Sequence, residues 1–347
     1  MFQKIISWLK EKEIFIILGP RQSGKTTLFS MIQEYLLQKK KVKYNSIFSF
    51  SFEDLETRRQ FNQNPKEFVE SRIKDKKGRL WWFLDEYHWI KQGGQKLKFL
   101  YDFYPQIKFF ITGSSSLEIT FKTGKYLVGR SLYFHLFPLS FSEFLKFKDP
   151  IIFNSYNKSR NFLWNFILGK KKIPLLENSI YEENFYKFFE EYLTFGGYPE
   201  IIKKKNKELK KAVLNSIINT YLEREIRELL LIEDLDSYRK LLQLFSSQVG
   251  QITNYNQLSS DSSLYFKLVK KHLNILEETF VIKRVYLFFK NFSSEIRKNP
   301  KIYFYDTGIR NSLIENFGNL FLRTDKGGLV ENFIFQEFQK QNKVLEK

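Results

Sequence analysis

Through the first 140 residues, short apolar runs alternate with amphipathic stretches. The apolar runs fall at residues 13–18 (EIFIIL), 42–50, 79–84 (RLWWFL), 106–112 (QIKFFIT) and 131–137 (SLYFHLF), and their length and aromatic or β-branched content predict strands. Between them, residues 25–38, 65–73 and 94–103 carry helical periodicity, and a shorter helix is expected after Ser114. Near-continuous apolar strands separated by helices are the pattern of a parallel five-stranded sheet covered on both faces. Residues 1–140 are therefore expected to form one α/β domain.

The pattern then changes. From residue 141 to about 236 the strand signal stops and Phe-, Leu- and Lys-rich helical periodicity takes over, interrupted by Lys170-Lys171-Lys172, by FGGYP at 195–199 and by the basic run 203–211. This stretch is expected to be a helical lid or linker. Residues 237–292 read as a helix over 238–249, a short helix over 255–258, a helix running to about Glu278 that Ser259, Ser260, Asp261 and Ser262 can cap, and a β-like stretch over 280–289. That order is the order of a winged helix-turn-helix. In 293–347, KIYFYDTG reads as a strand and turn and residues 328–340 as an amphipathic helix, a partial α/β segment.

Composition narrows the chemistry. A chain of 347 residues without cysteine has no disulfides, thiolate nucleophiles, iron–sulfur clusters or cysteine zinc sites. No apolar run approaches the roughly 20 residues of a spanning helix, and the opening MFQKIISWLKEKE alternates charge with hydrophobes, so a cytoplasmic protein without membrane insertion is expected. The 57 Lys and Arg against 38 Asp and Glu give a net charge of +19. Such an excess favours nucleic acid, nucleotides or acidic lipid as partners. The abundance of Phe, Lys, Asn and Ile is also what AT-rich coding produces, so charge alone does not choose among them.

The strongest motif is Gly19-Pro20-Arg21-Gln22-Ser23-Gly24-Lys25-Thr26-Thr27, a full G-x-x-x-x-G-K-S/T (Walker A) pattern between a predicted strand and a predicted helix. Its glycines let successive N–H groups and the helix N-terminus face a β-phosphate, Lys25 reaches the β- and γ-phosphates, and Thr26 ligates Mg²⁺. The expected cofactors are ATP and Mg²⁺. About 60 residues on, LWWFLDE ends an apolar strand in two acids. Asp85 is expected to hold Mg²⁺ and Glu86 to act as general base toward the attacking water.

The next strand runs into Thr112-Gly113-Ser114-Ser115 on the same sheet edge. Either Thr112 or Ser114 is expected to donate to the γ-phosphate or the lytic water, the alternative for the serines being a helix-capping turn. Arg130, before the fifth strand, is either a catalytic guanidinium acting in its own subunit or a neighbour's, or an exposed arginine without a role.

The spacing of GPRQSGKTT, LWWFLDE, FFITGSSS and LVGRSLYFHLFPLSFSEFL resembles the prokaryotic AAA+ type ATPases that carry a C-terminal winged helix and a restriction-endonuclease-like domain of unknown function. FGGYPE at 195–200, KIYFYDTGI at 301–309 and GGLVENFIFQE at 327–337 resemble later motifs of that family, so the likeness spans essentially the whole chain. It implies an AAA+ P-loop fold with ATP and Mg²⁺ binding and hydrolysis, Lys25, Thr26, Asp85 and Glu86 taking the roles given above. One departure stands out. Such proteins continue past the ENF helix into a strand with an acidic pair, and none follows Glu331 here, so Asp306, Glu331 and Glu337 are not expected to make a nuclease site and the chain is expected to be a fragment or a shortened member.

An ATP-hydrolysing switch or motor is the leading reading, with a protein partner or a second copy of the chain as alternatives to DNA as its target. Asp85-Glu86-Tyr87-His88 also spells a DExH helicase box, but a helicase needs a second strand–helix series that residues 140–300 lack. The remaining alternative is a DNA-binding or protein-interaction module with a regulatory nucleotide site, in which Tyr265, Lys267, Lys270 and Lys271 contact the groove or phosphates. His135 and His272 are expected to be structural, His88 to lie near the nucleotide by following Glu86, and Trp81 and Trp82 to be sheet core.

Overall fold

The computed structural model describes residues 1–113, 126–167, 169, 182–229, 232, 234–287 and 299–341. The chain divides into two compact units, Met1–Phe137 with Glu278–Phe280, and Pro138–Glu277 with Val281–Lys347.

The first unit contains α1 (Phe2–Ser7), β1 (Ile14–Leu18), α2 (Lys25–Gln38), β2 (Ile47–Ser51), α3 (Leu55–Gln63), α4 (Pro65–Ile73), β3 (Leu80–Asp85), α5 (Gly93–Phe103), β4 (Ile107–Gly113) and β5 (Ser131–His135). All five strands are parallel, in the order β2-β3-β4-β1-β5. The three central strands are buried along their whole length, which is why they read as unbroken apolar runs, whereas edge strands β2 and β5 are only partly covered. Alternation along the strands sends aromatics to both faces. Phe83 stacks on Phe110 with ring centroids 4.6 Å apart and meets Phe29 of α2 on one face. Trp82 packs on Phe48, Phe50 and Phe68 of α4 on the other. Trp81 and Trp82 are core residues.

Where the elements differ from the hydrophobic pattern, the causes are local. Tyr44–Ser46 forms a 3-10 turn and β2 begins only at Ile47. Helix α3 buries Phe61 alone, so it has no apolar stripe and periodicity does not predict it. Its sequence mark is the cap Asp54, whose carboxylate accepts from the Thr57 N–H at 2.8 Å. The helix expected after Ser114 lies outside the described residues.

The second unit holds α6 (Phe141–Lys148), α7 (Pro150–Ile167), α8 (Glu182–Phe195), α9 (Pro199–Lys203), α10 (Lys207–Thr220), a π-helical stretch (Tyr221–Leu229), α11 (Leu235–Ser247), α12 (Tyr255–Ser262), α13 (Phe266–Glu278), β6 (Ile282–Val285), β7 (Lys301–Phe304), α14 (Thr307–Leu313) and α15 (Lys326–Gln341). Strands β6 and β7 pair antiparallel. Of the lysine runs, 170–172 lies outside the described residues, as does 288–289 of the expected β stretch. Ser259 to Ser262 do not cap the following helix: they form the last turn of α12, which Ser263 ends in a left-handed conformation (φ 58°) before α13 starts at Phe266.

The stretches expected as a helical lid (141–236), a winged helix-turn-helix (237–292) and a C-terminal segment (293–347) lie, apart from Glu278–Phe280, in this one compact unit. While Phe141, Phe144, Leu145 and Tyr192 pack in a second cluster, one apolar cluster runs from Phe195 and Leu214 through Tyr238, Leu241, Leu273 and Ile302 to Leu313, so all three stretches contribute to it. Two of the motifs noted in the sequence are its fastener. The Asp306 carboxylate accepts from the Gly197 N–H at 2.7 Å and from the Ile309 N–H at 3.1 Å. Gly196 sits at φ +75°, and a Cβ there would stand 2.0 Å from Asp306 Oδ1; at Gly308 it would stand 2.2 Å from the Phe195 carbonyl. Only glycine fits either approach. Asn311 of α14 adds donations to the Leu193 and Thr194 carbonyls, both at 2.9 Å.

Removing the fully buried Asp306 side chain leaves two buried N–H groups without an acceptor. Asp306→Ala is expected to cost the second unit about 2–5 kcal/mol and Asp306→Asn clearly less, read by urea unfolding. A loss below about 1 kcal/mol in the alanine variant would show that the carboxylate does not join the two motifs.

Candidate nucleotide site

The site grows from the C-terminal edge of the parallel sheet, where a doubly covered α/β fold leaves its crevice. After Leu18 the chain turns at Gly19. The Leu136 N–H donates to the Leu18 carbonyl at 2.7 Å, and the Leu136 carbonyl comes so close that a Cβ on Gly19 would stand 2.0 Å from it. The loop then passes through left-handed conformations at Gln22 (φ 58°) and Gly24 (φ 99°) before entering α2. The unsatisfied N–H groups and the dipole of this 14-residue helix favour an anion at its start. Lys25 is buried and donates to the carbonyls of Gly19 at 3.0 Å and Pro20 at 2.9 Å. The Ser23 hydroxyl is buried in the loop without a hydrogen-bond partner among the described residues. Thr26 and Thr27 are exposed at the helix start. A Cβ-excluding turn, a buried cation and an unsatisfied hydroxyl together fit a bound phosphate chain.

β3 delivers Asp85 and Glu86 to the same edge. Asp85 Oδ2 accepts from Thr26 Oγ1 at 2.8 Å, and Oδ1 accepts from Thr112 Oγ1. The Thr112 hydroxyl in turn accepts from the Glu86 N–H at 3.0 Å. The order β3-β4-β1 makes this contact, since β4 lies between the phosphate-loop strand and the acidic strand. Thr112 is thus a holder of Asp85 rather than a donor to phosphate, because its single proton is spent on the carboxylate. Ser114, the alternative donor, lies outside the described residues. The hydroxyl of Thr26 and the carboxylate of Asp85 are two adjacent hard oxygen donors, the type that suits Mg²⁺.

Glu86 occupies a left-handed backbone conformation (φ 53°) and is largely buried. Burial pushes its carboxyl above the ordinary glutamate value, opposed by the nearby charges of Lys25 and Arg21. His88 Nδ1 lies 3.2 Å from Glu86 Oε2, and Arg21 Nη1 lies 3.9 Å from Glu53 Oε1. No motif marks Glu53. It stands two residues beyond β2, so the rule that all parallel strands end on one edge is the signal that finds it. Arg21 fills an unspecified position of the loop motif, yet its charge belongs to the site as well.

Arg130 does not belong to the site of its own chain. Ser131 pairs with Ile14 at the start of β1, the Ile14 N–H donates to the Arg130 carbonyl at 2.8 Å, and the phosphate loop begins beyond Leu18, opposite His135. Four strand residues, about 13 Å at the usual rise, separate the two edges. Its guanidinium instead pairs with Asp102 at 3.0 Å. His135 is exposed on edge strand β5 and is not a core residue. His272 is one: it lies edge-on to Tyr238 at 4.8 Å, and burial lowers its pKa to about 4.

Tyr265, just before α13, and Lys267, Lys270 and Lys271 on it are all exposed, with the Lys270 ammonium 4.5 Å from the centre of the Phe266 ring. The late acids are separately engaged. Asp306 caps α14, Glu331 accepts from Lys301 and Tyr303, and Glu337 accepts from the Phe141 N–H at 2.9 Å. No helix among the described residues is long and apolar enough to cross a membrane.

Residues 11–145 match the AAA domain family, and residues 186–320 match a domain of unknown function (DUF8612). An uncharacterized protein of Haemophilus influenzae is 22% identical over 348 residues, covering 98% of this chain and 77% of that protein. An uncharacterized protein of Methanocaldococcus jannaschii is 25% identical over 332 residues, covering 93% and 67%. Among solved structures, a Walker-type ATPase of Pyrococcus abyssi is similar over 90% of this chain and 94% of that chain at 14% identity and a TM-score of 0.49. At that overlap the likeness bears no functional weight. The sheet order, the phosphate loop and the AAA match make residues 11–145 an AAA-type P-loop domain with an ATPase-like fold.

The hydroxyl of Thr112 serves two buried partners, so Thr112→Val, which keeps the shape, is expected to destabilise the first unit by about 1–3 kcal/mol, whereas Thr112→Ser is expected to be nearly neutral. Equal effects of the two substitutions in thermal unfolding would place the contribution in the methyl group.

Proposed function

We propose that the protein binds ATP with Mg²⁺ at the loop of residues 19–27 and hydrolyses it, acting as a nucleotide-driven switch or motor. The observation that carries this reading is the Asp85 carboxylate, held between Thr26 at the start of α2 and Thr112 at the end of β4, with Glu86 beside it. In this reading the backbone N–H groups of residues 21–26 and the Lys25 ammonium bind the phosphates, Lys25 exchanging the Gly19 and Pro20 carbonyls for phosphate oxygens. Thr26 and Asp85 would hold the metal, which would supply positive charge against the negative charge developing on the phosphates. Glu86 orients the attacking water and takes its proton as the oxygen adds to the γ-phosphorus and ADP departs. Burial raises the Glu86 carboxyl, and the charges of Lys25 and Arg21 work against that rise by favouring its ionised form. Any part of Arg130 in turnover falls to the site of a second copy of the chain.

The exposed Tyr265, Lys267, Lys270 and Lys271 support a second reading. In it, α12, α13 and the β6–β7 ribbon act as a winged helix-turn-helix on DNA, and the nucleotide site is regulatory. DNA-stimulated turnover distinguishes a coupled machine from a regulated module.

Lys25→Ala is expected to abolish nucleotide binding. Glu86→Gln should keep binding while slowing hydrolysis on the order of 10² to 10⁴, and wild-type-like turnover in that variant would remove Glu86 as the base. Because burial raises the Glu86 carboxyl, it stays protonated to higher pH than an ordinary glutamate. The acid limb of the kcat/KM profile is therefore expected above the usual glutamate range and absent from the residual activity of Glu86→Gln. For the second reading, Lys267→Glu, Lys270→Glu and Lys271→Glu together should abolish any DNA stimulation of turnover, and undiminished stimulation would place the contact elsewhere.

A further inference from the structure

The second unit carries a solvent-open cavity of about 510 Å³ between α6, α8, α10 and the Phe317–Asn319 turn. Among the described residues, seven lysines and three glutamates line it. The glutamates are committed to the protein: Glu191 pairs with Lys148 at 2.8 Å and with the buried Lys210, Glu208 pairs with Lys211 at 2.8 Å, and Glu190 accepts from the Leu320 N–H at 3.1 Å. That leaves Lys187, Lys204, Lys205 and Lys207 around the rim, none in an ion pair with a described residue. They come from α8, from the α9–α10 connection and from the first turn of α10, where a positive charge is opposed by the helix dipole. Four uncompensated like charges around one concavity cost free energy that an anion would recover.

We propose that this cavity holds the phosphate backbone of nucleic acid and does so without reading its sequence. Enclosed small-molecule sites are walled mainly by apolar side chains with a few polar groups, whereas ammonium heads line this one, which suits a polyanion that stays largely hydrated. Its apolar floor is the stacked pair Phe195 and Phe317, with centroids 5.7 Å apart, and the half-buried Phe317 offers a ring surface to a sugar or a base. Groups that read base edges are scarce. Among the described residues no arginine lines the cavity, and the Asn319 side-chain oxygen already accepts from the Phe321 N–H at 2.9 Å. Lysines acting as point charges fix a backbone and leave the bases unread. The proposal does not depend on the nucleotide site, so a Lys25→Ala protein is expected to bind as the wild type does.

The test is fluorescence anisotropy of the full chain with labelled single-stranded DNA of two unrelated sequences over a range of salt concentrations. Wild type is expected to bind both sequences alike. In the variant Lys204→Glu, Lys205→Glu, Lys207→Glu, affinity should fall by about tenfold or more, and the slope of log K against log salt should shrink by about 0.7 for each phosphate that is no longer neutralised. The Lys→Gln version of the same three positions serves if the glutamates impair folding, and thermal unfolding verifies each protein. Unchanged affinity and slope in a folded variant would overturn the proposal. So would loss of binding only when Lys267, Lys270 and Lys271 are reversed, or capture of inorganic tripolyphosphate without any DNA binding.

Discussion

The site in the first unit is organised by one buried carboxylate. Asp85 cannot leave water without hydrogen bonds to replace those it gives up, and the two hydroxyls that supply them come from different elements, Thr26 from the start of α2 and Thr112 from the end of β4. Satisfying that single group sets the distance between the phosphate loop and the acidic strand. Through the Thr112 hydroxyl it also fixes the Glu86 backbone. The approach of the Leu136 carbonyl to Gly19 anchors the other side of the loop, so its geometry is held from beyond β5 as well as from β3 and β4. The apolar strands supply the stability that keeps these polar contacts in place.

The second unit uses buried polarity differently. Asp306 joins two glycine turns, and Arg323 and Arg310 converge on Asp325, holding its carboxyl well below the usual carboxylate range. Asn332 exchanges hydrogen bonds with both the N–H and the carbonyl of Phe304. These contacts bridge stretches more than a hundred residues apart in the case of Asp306, and one apolar cluster draws on all three stretches that the sequence separates. The close backbone approach at Gly196, Gly197 and Gly308 and the Asp306 hydrogen bonds account for the glycines and the aspartate of the FGGYPE and KIYFYDTGI motifs.

Charge is partitioned in the same way. At the candidate nucleotide site the described cations are chiefly Lys25 and Arg21, which suits the proposed reading, in which backbone N–H groups do much of the holding of phosphate. Most of the +19 excess lies away from that site, part of it on α13 and around the lysine-lined cavity, where it is available to a larger polyanion.

The strands of the first unit and helices α2 and α4 are legible because burial on both faces leaves an unbroken apolar run, and amphipathic helices leave a period of 3.6. The loop of residues 19–27 is legible because its glycines are demanded by local backbone geometry and, in the proposed reading, its lysine by a phosphate. Helix α3 is hidden, as a helix that buries one side chain writes almost no pattern. Sequence alone does not say that Thr112 is committed to Asp85, that Arg130 lies on the opposite edge, or that four lysines from three stretches of chain surround one cavity. Those facts depend on strand order and on which distant segments share a core. Such long-range pairings arise from the summed packing of many side chains and leave no mark in the spacing of any one segment.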